Sequence, residues 1–226
     1  IISNISKVQL VNILVNKKSE RKKIINKLKS FGTKISNIRL INCETDRSWV
    51  RDSLPVFVKI NKNKKILSNW EFNAWAKYKN FKKDNKTYLK IKRATKIKVI
   101  KPKFKRKKII LEGGSVDVNG NGLLLTTKQC LLSKIQERNK GFKMKDYEII
   151  FKKFFGINKV IWLNKGIDGD DTHGHVDDIA RFVDKNKIFV AKESNKKEKN
   201  FRNLSENIKI LKKYKNENIK KLKIVP

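Results

Sequence analysis

Residues 166–183 read GIDGDDTHGHVDDIARFV and hold both histidines of the chain, His173 and His175, together with five of its 21 acidic residues. A Gly- and Asp-rich loop over 166–174 leads into Val176, Ile179, Phe182 and Val183, which read as a strand. A polar turn, Asp184 to Lys187, and a second apolar run, Ile188 to Ala191, complete a hairpin. Side chains two apart on a strand share a face, so the spacing predicts that His175 and Asp177 point the same way, a titratable imidazole beside a carboxylate. Such a pair can hold a cation and shuttle a proton.

The same grammar recurs upstream. Glu112 precedes a predicted strand 115–118, a turn 119–122 containing Asn-Gly, and a strand 123–127. Helices are predicted over 128–139 and 145–155, Gly156 ends the second, and a strand 160–163 follows. Further upstream, Trp49-Val50-Arg51-Asp52 precedes strand 56–60, turn 61–64 and a return strand 65–67. Before it come an apolar run Val8 to Val15, an amphipathic helix 17–30 with Ile24, Ile25 and Leu28 on one stripe, Gly32, and a strand Ile35 to Ile41. Asp52 and His175 each lie about twenty residues beyond a Phe-Gly helix end, and Asp52, Glu112 and His175 are spaced by about sixty. Such a period marks stacked ββαβ units, each turning one functional group toward a shared centre. A helix 200–214 and a strand 222–225 are expected to start the next unit, whose hairpin would fall after Pro226.

At 226 residues the chain fits one domain with a real core. It begins with Ile1 and ends at Pro226 straight after a strand-like LKIV, and the expectation is a single partial domain over 1–226, cut at both ends. No run approaches the ~20 apolar residues of a membrane span, and no secretory leader is visible. Cys43 and Cys130 are far apart and form no metal-binding spacing, in keeping with a reducing, cytoplasmic setting. The 57 Lys+Arg against 21 Asp+Glu give a net charge of +36. The excess is nearly all Lys, accompanies heavy Asn and Ile usage and is spread along the chain, the pattern of compositional bias more than of a basic arm. KFKRKK from Lys103 interleaves an aromatic with basics and keeps a nucleic-acid partner, bound through non-specific charge, as the alternative.

DDTHGHVDDIARFV, with SWVRDSLPVFV from Ser48, NWEFNAWAKY from Asn69 and LEGGSVDVNGNGLLLTTKQCLLS from Leu111, resembles the agmatine deiminase and Porphyromonas-type peptidylarginine deiminase family. The four stretches occur in the family's order and cover most of residues 40–195. The resemblance implies an α/β fold of pentein type, a five-fold α/β propeller of ββαβ units, of which about three are present. It implies hydrolysis of a guanidine, agmatine being favoured over peptidyl arginine, to N-carbamoylputrescine and ammonia, with no cofactor and no metal. His175, Asp177, Asp52 and Glu112 are the implied catalytic set. Asp52 and Asp177 hold the guanidinium, and Trp49, Asn73 and Trp75 are further substrate contacts. Trp70 and Phe72 line the entrance or pack in the core, Arg51 partners a nearby carboxylate, and Gly113 and Gly114 serve backbone geometry.

That chemistry suits these residue types. A guanidinium is planar, cationic and offers paired N–H donors, so it is held by carboxylates. In the family a cysteine thiolate attacks its carbon and ammonia leaves, and His175 would act first as acid and then as base. The family's nucleophile sits in a late Gly-rich His-Cys segment that these 226 residues do not contain, and Cys130 lies in a stretch that is not the nucleophile, so the chain alone is expected not to turn over. Leu54 and His173 also depart from the family pattern. A second enzyme class, metal-dependent hydrolysis, would use His173 and His175 with Asp170, Asp171, Asp177 and Asp178.

Overall fold

The computed structural model of the protein describes residues 1–218 and 221–226. A short helix α1 (Ile2–Ser6) precedes strand β1 (Val11–Val15), helix α2 (Arg21–Ser30) and strand β2 (Ile38–Asn42), a βαβ unit in which β1 and β2 pair in parallel. Ile24, Ile25 and Leu28 sit on the inner stripe of α2, and Gly32, at φ 64°, turns the chain after it. Next come helical turn α3 (Val50–Ser53), hairpin β3 (Val56–Lys59) and β4 (Lys65–Ser68), helix α4 (Thr87–Thr95) and strand β5 (Val99–Ile100), with β4 parallel to β5. A basic hairpin, β6 (Lys103–Phe104) and β7 (Lys107–Lys108), carries the KFKRKK run.

The third unit is β8 (Asp117–Val118), β9 (Leu123–Thr127), α5 (Lys128–Leu132), α6 (Met144–Phe155) and β10 (Lys159–Leu163). The fourth is β11 (Ala180–Asp184), β12 (Lys187–Val190), α7 (Asn200–Asn218) and β13 (Lys223–Val225). Both repeat the pattern of an antiparallel hairpin whose second strand pairs in parallel with the strand after the helix. Three ββαβ units and one βαβ unit thus account for the sequence period; the helix and strand expected to start a further unit, α7 and β13, instead close the one begun at His175, because β13 pairs in parallel with β12.

The local sequence explains these elements. Strand β9 is buried at all five positions, so LLLTT packs on both faces, and the Thr126 and Thr127 hydroxyls donate to the carbonyls of Ser115 and Gly174. Helix α6 begins with Asp146 accepting from the Lys143 N–H and ends at Gly156 in the left-handed conformation. Its Tyr147, Ile150 and Phe151 enter a core with Trp70, Ile109, Leu124 and Trp162; a second core joins β9 to β10, β12 and α7 through Leu125, Ile161, Ile188 and Leu211.

Several expectations shift. The strand predicted from Val176 begins at Ala180, because Val176–Asp178 form a single 3-10 turn. Likewise Gly113–Ser115 turn before a two-residue strand, and the strand predicted from Ile35 starts at Ile38 after another such turn. The helix predicted over 128–139 stops at Leu132, where Ser133 leaves helical geometry and its hydroxyl caps Ile135; Gln136 then adopts φ 50°. Helix α4 was not anticipated: lysines dilute TYLKIKRAT until only Thr87 and Ile91 are buried. None of the helices among the described residues is long and apolar enough to cross a membrane.

Candidate active site

Three short helical turns, two of which displaced predicted strand starts, are what bring the candidate residues together. In each ββαβ unit one such turn stands just before the leading strand of the hairpin: Val50–Ser53 with Asp52, Gly113–Ser115 with Glu112 as its N-cap, and Val176–Asp178 with His175 as its N-cap. The turns pack side by side, so groups 60 to 126 residues apart in sequence meet at one hub.

At the hub the His175 ring is almost fully buried. Its Nδ1 lies 3.9 Å from Asp52 Oδ1 and 4.0 Å from Asp177 Oδ1, and its Nε2 lies 3.8 Å from Glu112 Oε2. These are electrostatic approaches, too long for hydrogen bonds. Asp52 is fixed by two donors, the Gly114 N–H to Oδ1 at 2.9 Å and the Trp75 indole N–H to Oδ2 at 3.0 Å. Gly114 has no substitute: a Cβ there would run into His175 Nδ1 and fall 2.9 Å from Asp52 Oδ1. The backbone at Gly114 is itself a wall of the site.

Glu112, wholly buried, accepts from Arg138 Nε at 3.0 Å. The same guanidinium donates through Nη1 to the Gln136 carbonyl at 2.8 Å and through Nη2 to the Thr172 carbonyl, tying together three segments. Asp177 Oδ2 accepts from Arg51 Nε at 3.2 Å and faces Arg181 Nη1 at 3.9 Å. The loop before His175 is held by Asp170, whose two oxygens accept from the backbone N–H groups of Thr172, Gly174 and His175.

Charge is distributed accordingly. Burial is the strongest influence on His175 and favours the neutral ring, yet Glu112, Asp52 and Asp177 outweigh it and hold its pKa above the ordinary value. Burial likewise pushes Glu112 up, but Arg138 and His175 prevail and hold its pKa at about 2. On Asp52 burial wins, assisted by Glu112, and the carboxyl is pushed up despite His175, Gly114 and Trp75. With Glu112 matched by Arg138, the carboxylates nearest His175 Nδ1 are Asp52 and Asp177. A flat cation fits such a pair, with an imidazole beside it to give and take a proton.

Asp52, Glu112, His175, Asp177 and Trp75 therefore converge. Arg51 does partner a carboxylate, that of Asp177. Trp49 is 62% exposed, and the Asn73 side chain accepts from Ala76 N–H as the cap of a left-handed turn in which Ala74, Trp75 and Ala76 have φ of 51°, 58° and 54°. Trp70 packs against Phe154 and Phe155 in the core, and Phe72 packs against Trp75. The His/Asp metal cluster does not form: His173 Nε2 meets Ser133 Oγ at 3.1 Å, Asp171 is taken by Lys77 and Tyr78, and Asp170 is consumed by its turn. In the basic hairpin, Lys105 pairs with Asp146 and Lys108 with Glu71. Arg138 and Gln136 escape a sequence reading, and Asp170, expected only as a metal ligand, holds a turn instead. One arginine among 57 basic residues, in the polar loop SKIQERNKG, has no periodicity or motif to mark it.

Both cysteines are buried. Burial raises the Cys130 thiol far above its ordinary range, the condition of an inert thiol. Burial also raises Cys43, at the end of β2.

Comparison with known proteins points the same way. The family model for Porphyromonas-type peptidyl-arginine deiminase matches residues 1–226. The agmatine deiminase of Pseudomonas savastanoi pv. phaseolicola is 35% identical over 164 residues, 70% of this chain and 42% of that protein. The agmatine deiminase structure of Enterococcus faecalis superposes with a TM-score of 0.84 at 26% identity over 98% of this chain and 60% of the other. That of C. jejuni with substrate bound gives 0.81 at 27% identity over 99% and 61%. The chain spans about half the length of the curated relatives it matches.

Proposed function

The chain belongs to the Porphyromonas-type peptidyl-arginine deiminase family, and from that premise we propose that its hub binds the guanidinium of agmatine for hydrolysis to N-carbamoylputrescine and ammonia. The fold is the α/β propeller of the agmatine deiminases, and the family is one of hydrolases acting on guanidines. Agmatine is chosen over peptidyl arginine because the relatives above carry that name. The observation behind the proposal is the buried imidazole of His175 with Asp52, Glu112 and Asp177 within 4.0 Å.

Asp52 and Asp177 take the guanidinium from opposite sides of His175 Nδ1. The two bonds from Gly114 and Trp75 hold Asp52 still, so little reorganisation is needed when the cation arrives. Asp177 exchanges one guanidinium for another: the Arg51 side chain, half exposed, swings off as the ligand enters. Once a nucleophile has added to the guanidinium carbon, His175, its pKa raised by three carboxylates, donates a proton to the nitrogen whose C–N bond breaks, and afterwards takes one from the water that displaces the nucleophile. Glu112 keeps the ring charged and oriented, and Arg138 keeps Glu112 ionised. Neither cysteine is assigned the attack on the guanidinium carbon, since burial holds both thiols protonated. The setting proposed for this reaction is cytoplasmic.

Calorimetric titration with agmatine tests the recognition step. Asp52→Asn and Asp177→Asn are each expected to weaken binding by roughly 10- to 100-fold, the worth of one charge-assisted contact. Unchanged affinity in both variants overturns the proposal.

A further inference from the structure

His175 has two sides, and the guanidinium chemistry above uses one of them. On the other, Nε2 and Glu112 Oε2 face each other at 3.8 Å, both buried and both without a hydrogen-bond partner. Buried polar atoms left unpaired cost roughly 1–3 kcal/mol each, so two of them aimed at one point ask for an occupant. The Cys130 Sγ completes a triangle with them: the ligand atoms of Glu112, Cys130 and His175 all lie within 4.8 Å of one another, and all three residues are buried. Among the described residues this is the group of three His, Cys, Asp or Glu side chains so placed.

We propose that Glu112, Cys130 and His175 form a binding site for a soft divalent cation, Zn2+ in the first instance, which locks the imidazole when it is occupied. An ion at the centre of a triangle with 4.8 Å sides is about 2.8 Å from each corner, so contraction of well under 1 Å per side chain reaches the usual ~2.0–2.3 Å bonds to O, N and S. One oxygen, one nitrogen and one sulfur is a donor set that Zn2+ favours over the hard cations Mg2+ and Ca2+, and three protein ligands leave a fourth position to solvent. The remaining surroundings favour a cation: Asp52 and Asp177 stand across the ring, while the Arg138 charge is engaged with Glu112 Oε1.

Binding forms bonds from the metal to Sγ, Nε2 and Oε2. The thiol proton of Cys130 leaves to solvent, as does any proton on Nε2, while Glu112 is already ionised, so proton release accompanies metal uptake. Nothing is oxidised or reduced. The consequence for substrate depends on the proposed function: a metal on Nε2 fixes the ring, cancels the anionic field and adds positive charge beside the guanidinium subsite. Zn2+ and agmatine should then oppose each other's binding to the same factor, as linkage requires.

The purified 226-residue chain, kept reduced, is titrated with ZnCl2 in two buffers of different protonation enthalpy, and with CoCl2 while the near-ultraviolet thiolate-to-cobalt band is followed. The expected result is one site with a Kd of ~1 μM or tighter, proton release, and the cobalt–thiolate band. Cys130→Ser and Cys130→Ala are expected to weaken Zn2+ by at least ~100-fold and to leave agmatine affinity in metal-free buffer unchanged, and Cys43→Ser to change neither. Zn2+ bound equally well by the Cys130 variants, a cobalt complex without the thiolate band, or no saturable site up to roughly 100 μM metal would overturn the proposal. Zn2+ binding without agmatine binding would retain the metal site and remove the functional reading instead.

Discussion

Replacing Arg138 by Met tests how the hub is held together. The guanidinium neutralises Glu112 and satisfies two carbonyls, so its loss strands a carboxylate with no exposed surface. Two routes give the magnitude. Holding the Glu112 pKa at about 2 rather than 4.5 corresponds to about 3 kcal/mol of stability above pH 4.5, lost as pH falls through the folded value. Breaking one side of a buried ion pair ordinarily costs roughly 3–5 kcal/mol. Arg138→Met is therefore expected to destabilise by ~3–5 kcal/mol at pH 7 in urea denaturation. The gap from wild type should narrow toward pH 4, where Glu112 in the variant takes up a proton and no longer bears an unpaired charge. Adding Glu112→Gln to Arg138→Met is expected to recover more than half the loss, since neither charge then remains. A penalty below ~1 kcal/mol, or a double variant no better than the single one, would refute the idea that charge pairing governs this site.

Two further outcomes follow from residues already described. Ala76 is exposed and held at φ 54°, where a Cβ costs roughly 1–2 kcal/mol; the extra chain entropy of glycine offsets part of this, so Ala76→Gly should stabilise by ~0.5–1 kcal/mol in the same denaturation assay. The two histidine ring signals followed by NMR against pH should show His175 titrating above the ordinary range and His173, lowered by burial and the Arg138 charge, below it; Glu112→Gln should bring His175 down and leave His173 in place. The raised His175 value stabilises the fold at low pH, and that contribution fades as pH rises through the folded value.

The repeat of about sixty residues could be read from sequence because a Phe-Gly pair ends two of the helices and a polar turn, at 61–64, 119–122 and 184–187, splits each hairpin between apolar runs, and those signals are local. The hub residues could be singled out because Asp52, Glu112 and His175 each precede a predicted hairpin. Their manner of convergence could not. His175 and Asp177 do meet, but across a 3-10 turn, where residues two apart on a strand would have shared a face by pleat alone. One helical turn of three or four residues carries too little periodicity to be told from a strand start. Arg138 was invisible for another reason. What distinguishes it is the set of acceptors converging on it from residues 112, 136 and 172, a property of the assembled chain and of no window within it. The left-handed turn at 74–76 was equally hidden, since Ala-Trp-Ala has no residue that favours positive φ.

The missing carbon at Gly114 has a consequence for diversification. Because peptide backbone touches both the imidazole and a carboxylate, that flank of the site has no side chain to exchange. Side-chain change near the site is open instead at residues 74–78 and 170–174, where the exposed Lys77, Tyr78 and Asp171 clasp one another. The scaffold thus separates an anvil of backbone from a jaw of side chains.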